Sequence, residues 1–252
     1  MKNYALNSEI IIKHLGLISY ASSYKAMHDF THNRNATTLD EIWVLEHPEI
    51  FTQGRAGKEE HILKTSSIPI FQSDRGGQVT FHGPGQLIIY PLINLKRYGL
   101  NIREFVTLLE TSVINTLAKF SIEAYARKDA PGVYVDEISC LFSKNISNKT
   151  VGDSSLSNPG IVIDQSLDRF SSSSSEKKIC SLGLKVSKGC TLHGLALNID
   201  IDLTPFDYIN PCGLLGMQMT SVANITKNIP DKQAITNTLI NELLRALQSP
   251  LC

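Results

Sequence analysis

Residues Lys178–Ile199 read Lys-Ile-Cys-Ser-Leu-Gly-Leu-Lys-Val-Ser-Lys-Gly-Cys-Thr-Leu-His-Gly-Leu-Ala-Leu-Asn-Ile. Two apolar-rich runs, Lys178–Val186 and Thr191–Ile199, flank a short glycine-bearing connection, the pattern of strands joined by a tight turn. Further strand-like runs precede them at Glu9–Leu17, Glu41–Glu46, Ile68–Gln72, Gln78–Phe81, Leu87–Leu95, Ile122–Tyr125 and Gly132–Val135. Pro91, inside one of these, predicts an edge position or a bulge, because proline gives no N–H to a ladder. Helical spacing occurs at Tyr20, Tyr24, Met27 and Thr31, from Asn101 (Phe105, Leu108, Leu109, Ser112, Val113, Thr116), and from near Asp231 (Ile235, Leu239, Leu243, Leu247). Asn101 and Glu104 are spaced to cap the second of these helices. Helices separated by runs of short strands predict an α+β fold, a mixed and largely antiparallel sheet flanked by helices.

The 252 residues are 42% hydrophobic and 19% charged, enough apolar surface for a sizeable core and too little charge for a disordered chain. Lys plus Arg and Asp plus Glu each number 24, a net charge of zero that argues against bulk nucleic-acid binding. No run reaches the ~20 apolar residues that span a bilayer. The N-terminus carries no export signal, and five cysteines without CxxC spacing argue against a disulfide framework or a zinc knuckle. A soluble protein of the reducing cytoplasm is expected. One segment stands apart: Asp136–Ser175 has twelve serines in forty residues and no sustained periodicity, the composition of a flexible surface insertion.

Two stretches have the composition of a site. Arg75–Gln86 holds four glycines and a proline around a short strand, which suits close approach of backbone to a ligand or a plain bulged hairpin. Alternation there places Gln78, Thr80 and His82 on one face and Val79 and Phe81 on the other. Neither phosphate-loop pattern is present. Asn210-Pro211-Cys212-Gly213 sets a cysteine between a residue of fixed φ and one of free φ, a turn able to present a thiol; Cys180 and Cys190 sit in strand-like runs as apolar fillers. A reactive thiol needs a nearby cation or base. Lys178, His82 and His193 are the candidates, although Lys178 also reads as a solvated lysine and His193 as a hydrogen-bonded core histidine.

Taken together, Arg75–Gln86 (RGGQVTFHGPGQ), Asp129–Val135 (DAPGVYV), Lys178–Gly183 (KICSLG), His193–Asn198 (HGLALN) and Asn210–Gly213 (NPCG) resemble, in this order, the motifs of the lipoyl(octanoyl) transferases. The resemblance covers the chain outside 136–175 and implies one catalytic domain over 1–252, related in fold to biotin and lipoate protein ligases. It implies an acyltransferase that moves octanoate from acyl carrier protein to a lysine of a lipoyl domain through a cysteine thioester. The acceptors implied are the lipoyl domains of 2-oxoacid dehydrogenases and the glycine cleavage H protein. No cofactor, no metal, no nucleic acid and no membrane is implied.

By matched motif, Cys212 is the nucleophile and Lys178 its catalytic partner. Arg75, Gly76, Gly77, Gln78, Val79, Thr80, Phe81 and His82, with Ser181, Leu182, Gly183, Gly194, Leu195 and Ala196, match the substrate-binding segments, and His193 falls in or beside the pocket. The forty-residue insertion before Lys178 departs from the family's short hairpin. Other readings are an ATP-dependent lipoate ligase, an amidotransferase between lipoyl-type proteins, and a non-catalytic carrier-domain binder. Acidic partners call for basic residues, and Lys96, Arg97, Arg103, Lys185 and Lys188 are candidates.

Overall fold

The computed structural model describes residues 9–136, 176–226 and 228–248. The serine-rich stretch lies outside them apart from Asp136. The strands are β1 (Ile10–Leu17), β2 (Asp40–Glu46), β3 (Ile50–Gln53), β4 (Ile70–Gln72), β5 (Val79–His82), β6 (Gln86–Leu92), β7 (Tyr125–Ala126), β8 (Gly132–Asp136), β9 (Glu176–Ser187), β10 (Cys190–Asn198) and β11 (Gln218–Met219). The helices are α1 (Tyr20–Asn33), α2 (Ile102–Lys119), α3 (Val222–Ile225) and α4 (Lys232–Gln248). Among the described residues, eight strands form one sheet in the order β1-β2-β6-β10-β9-β8-β7, with β11 beside β9. Only β1–β2 and β9–β11 pair in parallel there, so the sheet is mixed and largely antiparallel, as the sequence predicts. A small sheet, β4-β3-β5, stands apart from it.

Both faces of the large sheet are covered, which is why β2 and β6 are apolar at successive positions rather than alternate ones. Ile42, Val44, Leu87 and Ile89 face the core built with α2 and α4, around Phe105, Leu109, Leu239 and Leu243. Their neighbours Trp43, Leu45, Ile88 and Tyr90 face α1 through Met27. On α1 the buried residues include Tyr20, Met27 and Thr31, the stripe expected from spacing. Val79 and Phe81 of the small sheet pack with Phe51, Phe206 and Ile209 in a third cluster.

Two local expectations change. Pro91 lies in β6, an interior strand and not an edge. Its missing N–H is tolerated because the pairing of β6 with β10 ends at Ile89–Leu195, before Pro91 is reached. Ile122 begins no strand. Ser121 at φ 60 closes α2, donating to the Ala118 carbonyl at 3.0 Å, while the Ile122 N–H bonds the Leu117 carbonyl at 3.0 Å. This is a Schellman ending whose apolar residue, Ile122, drops into the core.

The expected start of α2 is present. Asn101 Oδ1 accepts from the N–H groups of Arg103 at 2.9 Å and Glu104 at 3.0 Å, and the Glu104 carboxylate accepts from the Asn101 N–H at 2.7 Å. Asn101→Ala removes this reciprocal cap and is expected to cost about 1 kcal/mol. A lowered urea midpoint at unchanged m-value checks it; an unchanged midpoint contradicts it.

Candidate active site

The segment Asp129–Val135 wraps one side chain. Lys178 of β9 is fully buried, and its Nζ donates to the Pro131 carbonyl at 2.9 Å and to Cys212 Sγ at 3.2 Å. The ammonium lies 5.2 Å from the Tyr134 ring centroid, a cation–π contact. Gly132 makes room for it: a Cβ there would stand 2.4 Å from Lys178 Cε and 2.7 Å from its Nζ. The register between β8 and β9 slips at Val133/Tyr134, leaving Ile179 as an extra residue, a bulge next to Lys178. Burial alone pushes the Lys178 pKa down, but the sulfur of Cys212 and the ring of Tyr134 outweigh it and hold it above the ordinary lysine value.

Cys212 sits in a single helical turn, Pro211–Gly213, at φ 58 and ψ 17. A non-glycine residue in this left-handed region costs on the order of 1–3 kcal/mol and persists only where its surroundings impose it. Here the Gly213 N–H bonds the Asn210 carbonyl at 2.9 Å, and the Asn210 N–H bonds the His61 carbonyl at 2.8 Å. Gly213 itself has φ 72, and a Cβ on it would meet the Gln78 amide at 2.8 Å. Cys212 is partly exposed, whereas Cys180 and Cys190 are buried, and burial pushes the Cys180 thiol up to about 12. Those two are fillers, as expected of strand cysteines.

Two cavities meet at Cys212. The first is walled by Arg75, Gly77, Gln78, Thr80 and His82 from one side, and by Ser181, Leu182, Gly183, His193, Gly194, Leu195 and Ala196 from β9 and β10. Tyr20, Ile88 and Tyr90 complete it, and none of the three is singled out by the motifs. The second, of about 360 Å³, shares Gly77, Leu182, Gly183 and Cys212 with the first and adds Gly76 and Lys178. Val79 and Phe81 line neither cavity. Their place in the third cluster follows from the strand alternation that puts Gln78, Thr80 and His82 toward the site.

Buried polar groups fix the walls. The Arg75 guanidinium donates to the Thr52 hydroxyl at 3.1 Å through Nε, to the Gly76 carbonyl at 2.8 Å and to the Gln78 carbonyl at 2.7 Å, pinning the glycine loop to β3. Thr52 in turn donates to His82 Nε2 at 3.1 Å, because its oxygen already accepts from Arg75. His82 Nδ1 donates to Gln86 Oε1 at 2.7 Å, Gln86 donates to Asn198 Oδ1 at 2.9 Å, and Asn198 to the Thr220 carbonyl at 2.9 Å. Burial first, then the neighbouring His47 and Arg75, hold the His82 pKa well below the usual imidazole range, against the pull of its bond to Gln86. His193, at φ 60 within β10, bonds Asp74 at 2.9 Å through Nε2, and burial keeps its pKa low against that carboxylate's pull. Three buried polar atoms on the first cavity's wall, Gln78 Oε1, Thr80 Oγ1 and Ser181 Oγ, have no partner among the described residues and are available to a ligand.

His28, Asp74 and His193 bring metal-type donor atoms within 4.8 Å of one another. Asp74 there already accepts from Lys185 and His193, so an ion-pair network accounts for the grouping. Of the basic candidates, Lys185 is spent on Asp74 and Arg97 on Asp40 at 3.2 Å, while Lys96 lies against Gly189, next to Lys188. Arg103 stands in the first turn of α2. No helix of the described residues is long and apolar enough to cross a membrane.

Residues 19–244 match the family profile described as the lipoyl protein ligase A/B catalytic domain. The chain belongs to this family. Within the lipoyl protein ligase A/B family it is 46% identical over 242 residues to an octanoyltransferase of Enterobacter sp. (strain 638), covering 96% of this chain and 95% of that one. It is 47% identical over 223 residues to an octanoyltransferase of Aliivibrio fischeri, covering 88% and 82%. In fold it is similar to the bipartite lipoate protein ligase of Thermoplasma acidophilum, with a TM-score of 0.63 at 13% identity, covering 96% of this chain and 84% of that one.

Two outcomes follow from the geometry. Gly132→Ala forces the Lys178 amine away from Cys212, so thiol alkylation by iodoacetamide at pH 7 is expected to slow by about tenfold as the thiolate loses its ammonium. Unchanged alkylation in a folded variant would count against the pairing. His47, whose Nε2 accepts from the Tyr90 hydroxyl at 2.8 Å, is pushed by burial from 6.5 down to about 4. Below pH 6.5 the unfolded chain takes up a proton that the folded chain refuses, so stability is expected to fall as pH drops from about 6.5 toward 4. Denaturant midpoints at pH 5 and pH 7 check this; a flat profile contradicts it.

Proposed function

We propose that this chain is an octanoyltransferase of lipoate synthesis, one catalytic domain in which Cys212 carries the acyl group and Lys178 moves the protons. The reading rests on one observation above the rest: Lys178 Nζ stands 3.2 Å from Cys212 Sγ where two cavities meet. The names of the relatives supply the acyl group, and the pairing supplies the chemistry.

An ammonium at hydrogen-bond distance stabilises charge on sulfur, and Arg75 adds a second cation whose field reaches Cys212. The thiolate attacks the carbonyl of an octanoyl thioester on a carrier protein; the C–S bond to the carrier breaks, and its sulfur leaves with the proton of Lys178. In the second half, the amine of a lipoyl-domain lysine attacks the Cys212 thioester. Lys178 takes a proton from that amine, an amide forms, and Cys212 returns as thiolate. Thioester exchange is close to energetically neutral, and amide formation from a thioester runs downhill, so no nucleotide is needed. The unpartnered hydroxyls of Thr80 and Ser181 are donors available to the carbonyl oxygen as it gains charge. Lipoyl domains of 2-oxoacid dehydrogenases and the glycine cleavage H protein are the proposed acceptors.

Mixing the protein with octanoyl-carrier protein, without ATP, is expected to add one octanoyl mass to Cys212 and none to Cys212→Ala. Absence of the adduct from wild type would sink the reading. Lys178→Ala is expected to slow acylation by about 100-fold or more, the range of a positioned proton donor; a rate near wild type would remove Lys178 from the mechanism.

A further inference from the structure

We propose that the second cavity is a single port used in turn by the carrier's thioester-bearing arm and by the acceptor lysine. The inference rests on the octanoyltransferase reading and assigns a binding site to residues that no motif includes. Both guests end in one chemistry: two methylene groups followed by the sulfur or nitrogen that bonds to the octanoyl carbonyl.

Three features carry it. First, the two cavities share Cys212, Gly77, Leu182 and Gly183. A carbonyl held on Cys212 with its alkyl chain in one cavity has only the other side free for the group that leaves or enters. Second, Lys178 lines the second cavity and not the first. The departing sulfur must gain a proton and the entering nitrogen must lose one, so both must approach the face where Lys178 stands. Third, the wall is apolar where the arm would run. Ile102 and Val106, one turn apart on α2, line it together with Leu184 and Leu214. Ile102 is 39% exposed at the start of its helix, an apolar side chain left at the mouth rather than in the core. A port shared by both guests also requires that the first leave before the second enters, so the acyl group must wait on Cys212.

The test compares acylation of Cys212 by octanoyl-pantetheine and by S-methyl thio-octanoate, whose leaving group needs almost no room, with intact mass as the readout. In Val106→Trp, and separately in Ile102→Trp at the exposed rim, the ratio of the first rate to the second is expected to fall at least about tenfold, the discrimination steric fit gives in an apolar pocket. Transfer from the preformed acyl-enzyme to a lipoyl domain is expected to fall alongside. An unchanged ratio in both folded variants overturns the port. Failure of wild type to acquire an octanoyl group from either thioester overturns the reading beneath it instead.

Discussion

A lysine ammonium with no solvent exposure governs this structure. Taking such a charge out of water costs several kcal/mol even after relaxation, and the cost is met only by close partners. The partners of Lys178 come from two places far from it in the chain: the Pro131 carbonyl and Tyr134 ring of one segment, and the sulfur of Cys212 in another. Each imposes a further demand. Gly132 must lack a Cβ, β9 must bulge next to the lysine, and Cys212 must adopt a left-handed conformation that only its tethered turn maintains. The carboxylate of Glu110, accepting from the Gly132 N–H at 2.9 Å, ties the same segment to α2. The motifs Asp129–Val135, Lys178–Gly183 and Asn210–Gly213 are thus three parts of one solution to a buried charge.

The sheet yields around that solution. A regular pairing of β6 with β10 would demand an N–H at position 91 and a plain extended residue at 193. Instead His193 turns to positive φ, the pairing stops, and Pro91 becomes tolerable in an interior strand. The first cavity opens along this interruption, between the residues after His193 and the loop that Arg75 pins to β3. Two irregularities of the large sheet, the bulge in β9 and the positive φ of His193 in β10, lie beside the two cavities.

Sequence alone made the α+β class, the capped start of α2, the cysteine in its proline–glycine turn and the alternation through Val79–His82 legible, because each depends on local spacing. It also set Lys178 beside Cys212 by motif, yet left open whether the lysine was merely solvated, since burial is decided by residues 34 to 47 positions away. Tyr20, Tyr90 and Asp74 were invisible for a related reason: they reach the site from α1, β6 and the loop before β5, and no spacing links them to Cys212. Pro91 and Ile122 misled because a ladder break and a Schellman ending depend on partners a linear reading does not contain. Gly132 was the one available signal left unused, a glycine between proline and an apolar strand where a side chain would ordinarily pack.

The choice of lysine follows from what the cycle asks of its charge. Burial pushes the pKa of Lys178 down, and Cys212, with Tyr134 behind it, holds it up. In the proposed cycle Cys212 becomes a neutral thioester; that support is then gone while the burial remains, so the ammonium is left poorly compensated and gives up its proton more readily. The free amine then exists at the step where an entering nucleophile must be deprotonated. An arginine would keep the ion pair but stay charged throughout. A histidine at this depth would already be neutral, as burial makes His47, His82 and His193, and would offer the resting sulfur no cation. Only a residue whose charge is supported by the sulfur itself can be an acid before the acyl group arrives and a base after it.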